Sequence, residues 1–152
     1  MYGFDPRLAH QNMIDCIVLG DSIAVGTHAQ RPDCVSFSKG GINSWQWHKM
    51  FGKNDLVAST VIISLGSNDH KYIKTYDELQ KLRAKVKATK VFWILPNGNL
   101  KGSEVDIEVI QHFVRELAIQ HGDTVLPITK ISKDRIHPSQ AGYLELAAKT
   151  KQ

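Results

Sequence analysis

The 152-residue sequence lacks any apolar run long enough to cross a bilayer, and residues 1–13 lack the apolar core of a signal peptide. No membrane span is therefore expected. The default compartment is the cytoplasm, with association with a virus particle as an alternative. Internal repeats and low-complexity segments are also missing, so we expect a single domain over residues 1–152.

Cysteine is scarce. Cys16 and Cys34 are the two cysteines, they lie far apart, and they do not form a Cys-x-x-Cys pair. Both lie within apolar segments, where a free thiol packs as a small hydrophobic group. We therefore expect two buried free thiols rather than a disulfide or a pair of metal ligands.

Several motifs of cofactor enzymes are absent from the sequence. It has neither the Gly-x-x-x-x-Gly-Lys-Ser/Thr phosphate loop nor the Gly-x-Gly-x-x-Gly dinucleotide fingerprint, which argues against nucleotide chemistry. The His-Glu-x-x-His spacing of zinc enzymes is missing as well. The Gly-x-Ser-x-Gly elbow of the α/β-hydrolases does not occur either. We expect no cofactor and no metal.

The formal net charge is +4, and a group of basic residues lies in the middle of the chain. Because this group coincides with a predicted helix, a solvated helix face is the simpler interpretation, with steering of an anionic partner as the alternative. No aromatic residues are interleaved as base stacking would require, so no nucleic-acid partner is expected. The group consists of Lys71, Lys74, Lys81, Arg83, Lys85, Lys87 and Lys90.

Five short segments rich in β-branched residues alternate with stretches of helical periodicity. Such runs are typical of strands buried on both faces. Because parallel strands need crossover connections, we predict an α/β fold, a three-layer α/β/α sandwich around a parallel sheet. The predicted strands are residues 16–19, 34–37, 61–65, 91–95 and 124–128, and the clearest helices are residues 76–88, 104–121 and 139–149.

In open sheets of this kind the ligand lies beyond the carboxyl ends of the strands. Four of the five segments that follow the predicted strands supply a group that acyl transfer needs. The five segments are Gly20-Asp21-Ser22, Lys39-Gly40-Gly41, Gly66-Ser67-Asn68-Asp69, Pro96-Asn97-Gly98-Asn99 and Asp134-Arg135-Ile136-His137-Pro138.

Ser22, His137 and Asp134 have the residue types of a catalytic triad. A serine hydroxyl becomes a good nucleophile when an imidazole removes its proton, and a carboxylate must fix the tautomer and orientation of that imidazole. Asp134 precedes His137 by three residues, close enough for its carboxylate to reach the ring. Pro138 suits the first turn of the following helix.

Attack on an ester carbonyl creates an oxyanion, which needs N–H donors placed in advance. The predicted donors are the backbone N–H of Ser22, the side-chain amide of Asn68 and a glycine N–H from Gly40 or Gly41. Glycine suits this position because it permits a close approach of the backbone to the substrate. The residues predicted to contact the substrate are Gly40, His70 and Asn97.

These segments resemble the four sequence blocks of the SGNH hydrolases, also called the GDSL-type esterase and lipase family. Gly20-Asp21-Ser22 is similar to the first block, Gly40-Gly41 to the second, Gly66-Ser67-Asn68-Asp69 to the third, and the segment from Asp134 to Pro138 to the last. The resemblance implies a flavodoxin-like sandwich, a triad of Ser22, Asp134 and His137, and an oxyanion hole completed by Gly41 and Asn68. Ile23 departs from the leucine of the family motif.

Other interpretations exist for several of these residues. Ser22 is also suited to cap the helix after the first strand. Asn68 and Asp69 are both able to stabilise a turn, and we expect Asp69 to do so while Asn68 faces the substrate. Trp45 and Trp47 fit a sugar-stacking surface as well as the core side of a helix.

Together these patterns favour a serine esterase that hydrolyses carboxylic esters through an acyl-enzyme on Ser22. A short acyl group such as acetyl, carried by a carbohydrate or another small alcohol, is the expected substrate. Acyl transfer to a sugar or other alcohol needs the same residues and is the first alternative. The second is a catalytically weak carbohydrate-binding or virion structural module that retains the fold.

Overall fold

The computed structural model of the protein describes residues 14–152 and contains a parallel sheet with helices between its strands. The elements are β1 (Ile14–Gly20), α1 (Ser22–Gln30), β2 (Val35–Ser38), α2 (Ser44–Phe51), β3 (Leu56–Ser64), α3 (Thr75–Ala84), β4 (Val86–Ile94), α4 (Ile107–His121), β5 (Thr124–Leu126) and α5 (Gln140–Lys149). The strand order is β2-β1-β3-β4-β5, and all neighbouring strands run parallel. The predicted five-stranded parallel sheet is confirmed.

Apolar side chains cover both faces of the sheet. On one face, Ile17 of β1 packs in a core with Trp47 of α2 and Val114 of α4. On the other face, Val18 packs in a second core with Leu146 of α5. Because neighbouring residues of a strand point to opposite faces, the alternation along β1 feeds both cores. The predicted three-layer α/β/α sandwich is confirmed.

Strands β3 and β4 begin about five residues earlier than the sequence predicts. Leu56 pairs with Val86 and Thr60 with Lys90 along this added length. These segments contain polar residues, so they lack the continuous apolar run of a strand buried on both faces. Backbone pairing between segments distant in sequence determines their length instead.

The basic group in the middle of the chain does not lie on one helix. The predicted helix over residues 76–88 ends at Ala84, and Lys87 and Lys90 belong to β4. Lys81 and Arg83 lie on α3, and Arg83 forms an ion pair with Asp123 in which its Nε lies 2.7 Å from a carboxylate oxygen. The predicted single solvated helix face is therefore wrong.

Cys16 and Cys34 form a disulfide, so the prediction of two free thiols is wrong. The reason is the register of β1 and β2, which pairs Ile17 with Val35 and thereby brings the preceding residues together. The two Cα atoms lie 4.5 Å apart, and both side chains are buried. Sequence spacing does not contain this information because the pairing of the two strands creates the contact.

The chain turns back beside β1 to form β3, so the strand order reverses between β1 and β3. In sheets of this order the ligand crevice lies at that reversal, beyond the carboxyl ends of the two strands. Ser22 follows β1 there, and Asn68 follows β3. Residues 1–13, for which the sequence predicts no signal-peptide core, lie outside the described residues. No helix of the described range has the length and apolar character needed to cross a membrane.

Candidate active site

Ser22 is the first residue of α1 and follows the carboxyl end of β1. The cap of this helix is Asp21, whose carboxylate accepts a hydrogen bond from the backbone N–H of Ile23 at 3.0 Å. The Ser22 hydroxyl is therefore not needed as the cap. Its Oγ lies 2.7 Å from Nε2 of His137.

Gly20 makes this position of Ser22 possible. Its φ is +139°, and a Cβ built on it would lie 1.7 Å from the backbone oxygen of Ser64 at the end of β3. The backbone N–H of Asp21 donates to the same oxygen at 2.9 Å. A side chain at residue 20 would therefore separate β1 from β3 and displace the start of α1.

His137 lies in the loop before α5 and contacts Asp134 through its other ring nitrogen. His137 Nδ1 lies 2.6 Å from one carboxylate oxygen of Asp134. The other oxygen accepts hydrogen bonds from the backbone N–H groups of Ile136 and His137, each at 2.9 Å, and from the hydroxyl of Ser132 at 2.7 Å. The His137 N–H, the Ser132 hydroxyl and the His137 ring hold the pKa of Asp134 well below its usual range.

The three predicted triad residues are thus joined in one hydrogen-bonded chain. Because the Asp134 carboxylate accepts the Nδ1 proton of His137, Nε2 is the free acceptor that faces Ser22. This geometry allows His137 to remove the hydroxyl proton while Asp134 stabilises the imidazolium that forms.

The turn of Gly40 and Gly41 lies beside Ser22 and is linked to the loop that carries Asn68. A Cβ built on Gly40 would lie 3.8 Å from Cβ of Ser22, so this turn runs next to the serine. Gly41 has φ +80°, in the left-handed region that glycine adopts readily. Asn68 Nδ2 donates to the backbone oxygen of Ile42 at 3.0 Å, which links the loop after β3 to this turn. The roles of Ser22, Gly41 and Asn68 as oxyanion donors and of Gly40 as substrate contact stay predictions.

Solved structures with the same architecture cover nearly the whole chain. The C-terminal catalytic domain of peptidoglycan O-acetyltransferase A from Streptococcus pneumoniae matches with a TM-score of 0.64 and 17% identity, over 91% of this chain and 92% of that chain. A member of the lipolytic protein G-D-S-L family from Veillonella parvula matches with a TM-score of 0.56 and 16% identity, over 89% and 94% of the two chains. The chain has the SGNH hydrolase fold.

A putative acylhydrolase from Bacteroides fragilis has this SGNH fold in common with the chain, with a TM-score of 0.62 and 16% identity over 95% of this chain and 92% of that chain. No protein-family model and no curated protein sequence matches. The similarity that these comparisons show thus lies in the three-dimensional structure.

Within the SGNH fold, Asp69 fixes the loop that carries Asn68. Its carboxylate accepts hydrogen bonds from the N–H and hydroxyl of Ser44, at 2.8 and 2.6 Å, and from the hydroxyl of Thr75 at 2.7 Å. It thereby joins the first residues of α2 and α3. The side chain is fully buried, and this burial raises its pKa. The expectation that Asp69 stabilises the loop is confirmed by these contacts.

The contacts of His70 and Asn97 are with the protein. Asn97 Nδ2 donates to the backbone oxygen of Arg135 at 2.8 Å, and Arg135 has the left-handed φ of +63°. Asn97 therefore supports the loop that presents His137. His70 Nδ1 accepts a hydrogen bond from the backbone N–H of Tyr72 at 3.3 Å. The substrate contacts of His70 and Asn97 stay predictions.

The two tryptophans of α2 have different environments. Trp47 is fully buried, and its Nε1 donates to the backbone oxygen of Phe37 at 2.8 Å, so it belongs to the core. Trp45 is 49% exposed, and the ammonium of Lys49 lies 5.2 Å from its ring centroid. Of the two interpretations of this pair, core packing applies to Trp47 and an accessible ring to Trp45.

Sequence reasoning missed two groups around the triad. Ser132 donates to Asp134, and its spacing of two residues is typical of local hydroxyl–carboxylate turns, so a signal was present. Asp21 is fully buried beside Ser22, and its Oδ2 has no hydrogen-bond partner in the described part of the chain. This burial raises the pKa of Asp21 to about 7. Asp21 caps the helix that Ser22 is also suited to cap, and the sequence pattern does not distinguish the two residues.

Proposed function

We propose that the protein is a serine esterase that hydrolyses short-chain carboxylic esters through an acyl-enzyme on Ser22. The observation that carries the proposal is the 2.7 Å contact between Ser22 Oγ and His137 Nε2, with Asp134 on the far side of the ring. A serine, a histidine and a carboxylate in this order form the arrangement that activates a hydroxyl for attack on a carbonyl.

In the first step, His137 takes the proton of Ser22 while the oxygen attacks the ester carbonyl. The negative charge then moves to the carbonyl oxygen beside the Gly40–Gly41 turn and the amide of Asn68. One N–H of that amide already binds the Ile42 carbonyl, which orients the second N–H as a donor. Return of the proton from His137 to the alcohol oxygen releases the alcohol and leaves the acyl group on Ser22.

In the second step, His137 removes a proton from water, and the hydroxide attacks the acyl-enzyme carbonyl. Collapse of this intermediate releases the carboxylic acid and returns the proton to Ser22. The His137 side chain is 36% exposed and that of Asp134 is 47% exposed, so water reaches both residues directly. An open site also accepts an ester borne by a large molecule, which supports a carbohydrate ester such as an acetylated sugar.

The test compares wild type and Ser22→Ala on p-nitrophenyl acetate, butyrate and octanoate. We expect the acetate to be the best substrate and the variant to lose at least about 1,000-fold in kcat. Ser36→Ala, which removes a hydroxyl from β2, is the matched control and keeps its turnover. Mass spectrometry after treatment with phenylmethylsulfonyl fluoride then locates the covalent adduct, which we expect on Ser22. Wild-type turnover by Ser22→Ala would contradict the proposal.

Acyl transfer to an alcohol is the second candidate, favoured by the structural match to a domain named as a peptidoglycan O-acetyltransferase. The acyl-enzyme would form in the same way, and an alcohol rather than water would attack it. Addition of acceptor oligosaccharides to the same assay separates the two reactions. Transfer predicts an acylated acceptor and faster release of p-nitrophenol, whereas hydrolysis predicts free carboxylic acid only. Glycan binding without turnover would instead favour the non-catalytic module.

A further inference from the structure

A groove runs along α2 beside the candidate active site. Gln46, Lys49 and Met50 form one side of it, because residues at spacings of three and four lie on one face of a helix. Lys39 and Ile42, from the turn between β2 and α2, complete it. This α2 groove has a volume of about 340 Å³.

A second groove adjoins the loop that carries the triad histidine. It is lined by Asn97, Ile131, Ser132, Lys133 and Arg135 and has a volume of about 390 Å³. We call it the histidine-loop groove.

Each groove contains a residue that is hydrogen-bonded to a residue of the candidate active site. Ile42 lines the α2 groove, and its backbone oxygen binds the amide of Asn68. Ser132 lines the histidine-loop groove, and its hydroxyl binds Asp134. One hydrogen bond thus links each groove to the candidate active site.

The strand order places the two grooves on opposite sides of the serine. The α2 groove is formed by residues that follow β2, at one edge of the sheet. The histidine-loop groove is formed by residues that follow β4 and β5, toward the other edge. Ser22 follows β1, between them.

Both grooves are positively charged. Lys39 and Lys49 line the first, Lys133 and Arg135 line the second, and no Asp or Glu side chain lines either one. All four cationic residues are exposed, and none of them forms an ion pair with another described residue. Such sites attract anionic groups, and the attraction weakens as salt is added.

We propose that the substrate is an acidic polysaccharide carrying O-acyl groups, and that its chain lies in both grooves with the scissile ester at Ser22. This inference rests on the proposed esterase function and names the substrate class for it. An acyl group on a polymer is a side branch, so the chain continues in two directions away from the ester. One groove on each side of Ser22 fits that geometry, and the lysines and the arginine fit the carboxylates of acidic sugars.

The experiment compares three esters at low and high ionic strength. O-acetylated oligogalacturonate is the acidic probe, O-acetylated xylo-oligosaccharide is the neutral one, and p-nitrophenyl acetate is the small reporter that reaches neither groove. We expect wild type to prefer the acidic over the neutral oligosaccharide in kcat/KM. This preference should shrink several-fold as salt screens the contacts, and the effect should appear mainly in KM.

The double variant Lys39→Gln/Lys49→Gln removes the charge of the α2 groove and replaces each lysine with a neutral polar side chain that is one atom shorter. We expect the ratio of kcat/KM for the acidic probe to that for p-nitrophenyl acetate to fall about fivefold, as two exposed ionic contacts predict. Lys133→Gln should lower the same ratio by a smaller factor. Lys53→Gln/Lys87→Gln, which removes two exposed charges at the amino ends of β3 and β4, is the control and should keep the wild-type ratio.

Two results would overturn the inference while leaving the esterase proposal intact. One is equal kcat/KM of wild type for the acidic and neutral oligosaccharides, together with turnover of p-nitrophenyl acetate. The other is an equal fall of the ratio in the control variant, which would assign the effect to net charge. If no ester is hydrolysed, the esterase proposal fails, and calorimetry with de-esterified oligogalacturonate tests the grooves alone. Salt-sensitive binding that is lost in Lys39→Gln/Lys49→Gln supports the grooves as a binding site for an acidic chain. The absence of binding by wild type excludes that role.

Discussion

Asp134 binds His137 through both of its carboxylate oxygens. One oxygen lies 2.6 Å from Nδ1 of the ring, and the other accepts the backbone N–H of the same residue at 2.9 Å. The backbone and the ring of His137 are thus fixed by one side chain, which the Ser132 hydroxyl orients in turn. The loop thereby presents Nε2 to Ser22.

Asp134→Asn tests this relationship. The amide oxygen of asparagine still accepts the backbone N–H of His137, but its NH₂ group faces Nδ1 and favours the wrong tautomer of the ring. We expect kcat for p-nitrophenyl acetate to fall about 1,000- to 10,000-fold with little change in folding. Ser132→Ala, which removes only the supporting hydroxyl, should show a much smaller fall in kcat. Equal losses in the two variants would contradict the role of the carboxylate in setting the tautomer.

Asn68→Ala tests the predicted role of Asn68 as a hydrogen-bond donor to the oxyanion. The loss of one preplaced donor typically lowers the rate about 100- to 1,000-fold, and we expect that fall in kcat with a smaller change in KM. Asn68→Asp keeps the size but not the N–H donors, and should lose at least as much. Thermal unfolding of both variants measures how much the hydrogen bond from Asn68 to Ile42 contributes to stability. A large loss of stability with unchanged kcat would make Asn68 a structural residue only.

Asp21→Asn tests the buried carboxyl behind the serine. Burial raises the pKa of Asp21 to about 7, from an ordinary value of 3.8. The groups that face it are the Ser64 hydroxyl, His137 and Tyr143. Between these two pH values the folded protein holds a proton that the unfolded chain releases, so the free energy of unfolding falls as the pH rises.

Over the range from about pH 4 to about pH 7, this fall should amount to a few kcal/mol, since one pKa unit corresponds to about 1.4 kcal/mol. The lowered pKa of Asp134 acts in the opposite direction, but only below that range. Urea unfolding at several pH values measures both effects. Burial also raises the pKa of Asp69, which acts in the same direction as Asp21 and is unchanged in the variant. We expect the Asp21→Asn variant to show a flatter dependence than wild type, and a dependence equal to that of wild type would contradict the prediction.

The disulfide between Cys16 and Cys34 gives a further prediction. It closes a loop with a sequence separation of 18, for which the loss of chain entropy in the unfolded state amounts to about 3 kcal/mol. Cys16→Ser/Cys34→Ser, or reduction of the wild type, should lower the free energy of unfolding by about that amount. Maleimide labelling of the unfolded, unreduced protein should detect no thiol.

Structural disulfides persist in oxidising compartments and are rare in the cytosol. We therefore propose an oxidising compartment in place of the cytoplasm that the sequence predicts by default. Two reactive thiols in the protein purified without reductant would contradict both the bond and this compartment.

The sequence determines the fold class and the positions of the candidate catalytic groups along the chain. A strand made of an apolar run such as residues 61–65 has apolar side chains on both faces, so both faces must be buried. Such a run therefore predicts a central strand even when the neighbouring strands are not known. The segments after these strands then collect at one edge of the sheet because all the strands run parallel. This rule placed Ser22 and His137 at the same edge of the sheet, although they are 115 residues apart.

Tertiary structure alone decided the features that depend on pairing between distant segments. The register of β1 and β2 joined the two cysteines, and the pairing of β3 with β4 extended both strands through polar residues. The packing of α2 buried Trp47 and left Trp45 exposed. The physical reason is that hydrogen bonding and burial are set by whichever segments meet in space, and local composition does not encode which segments those are.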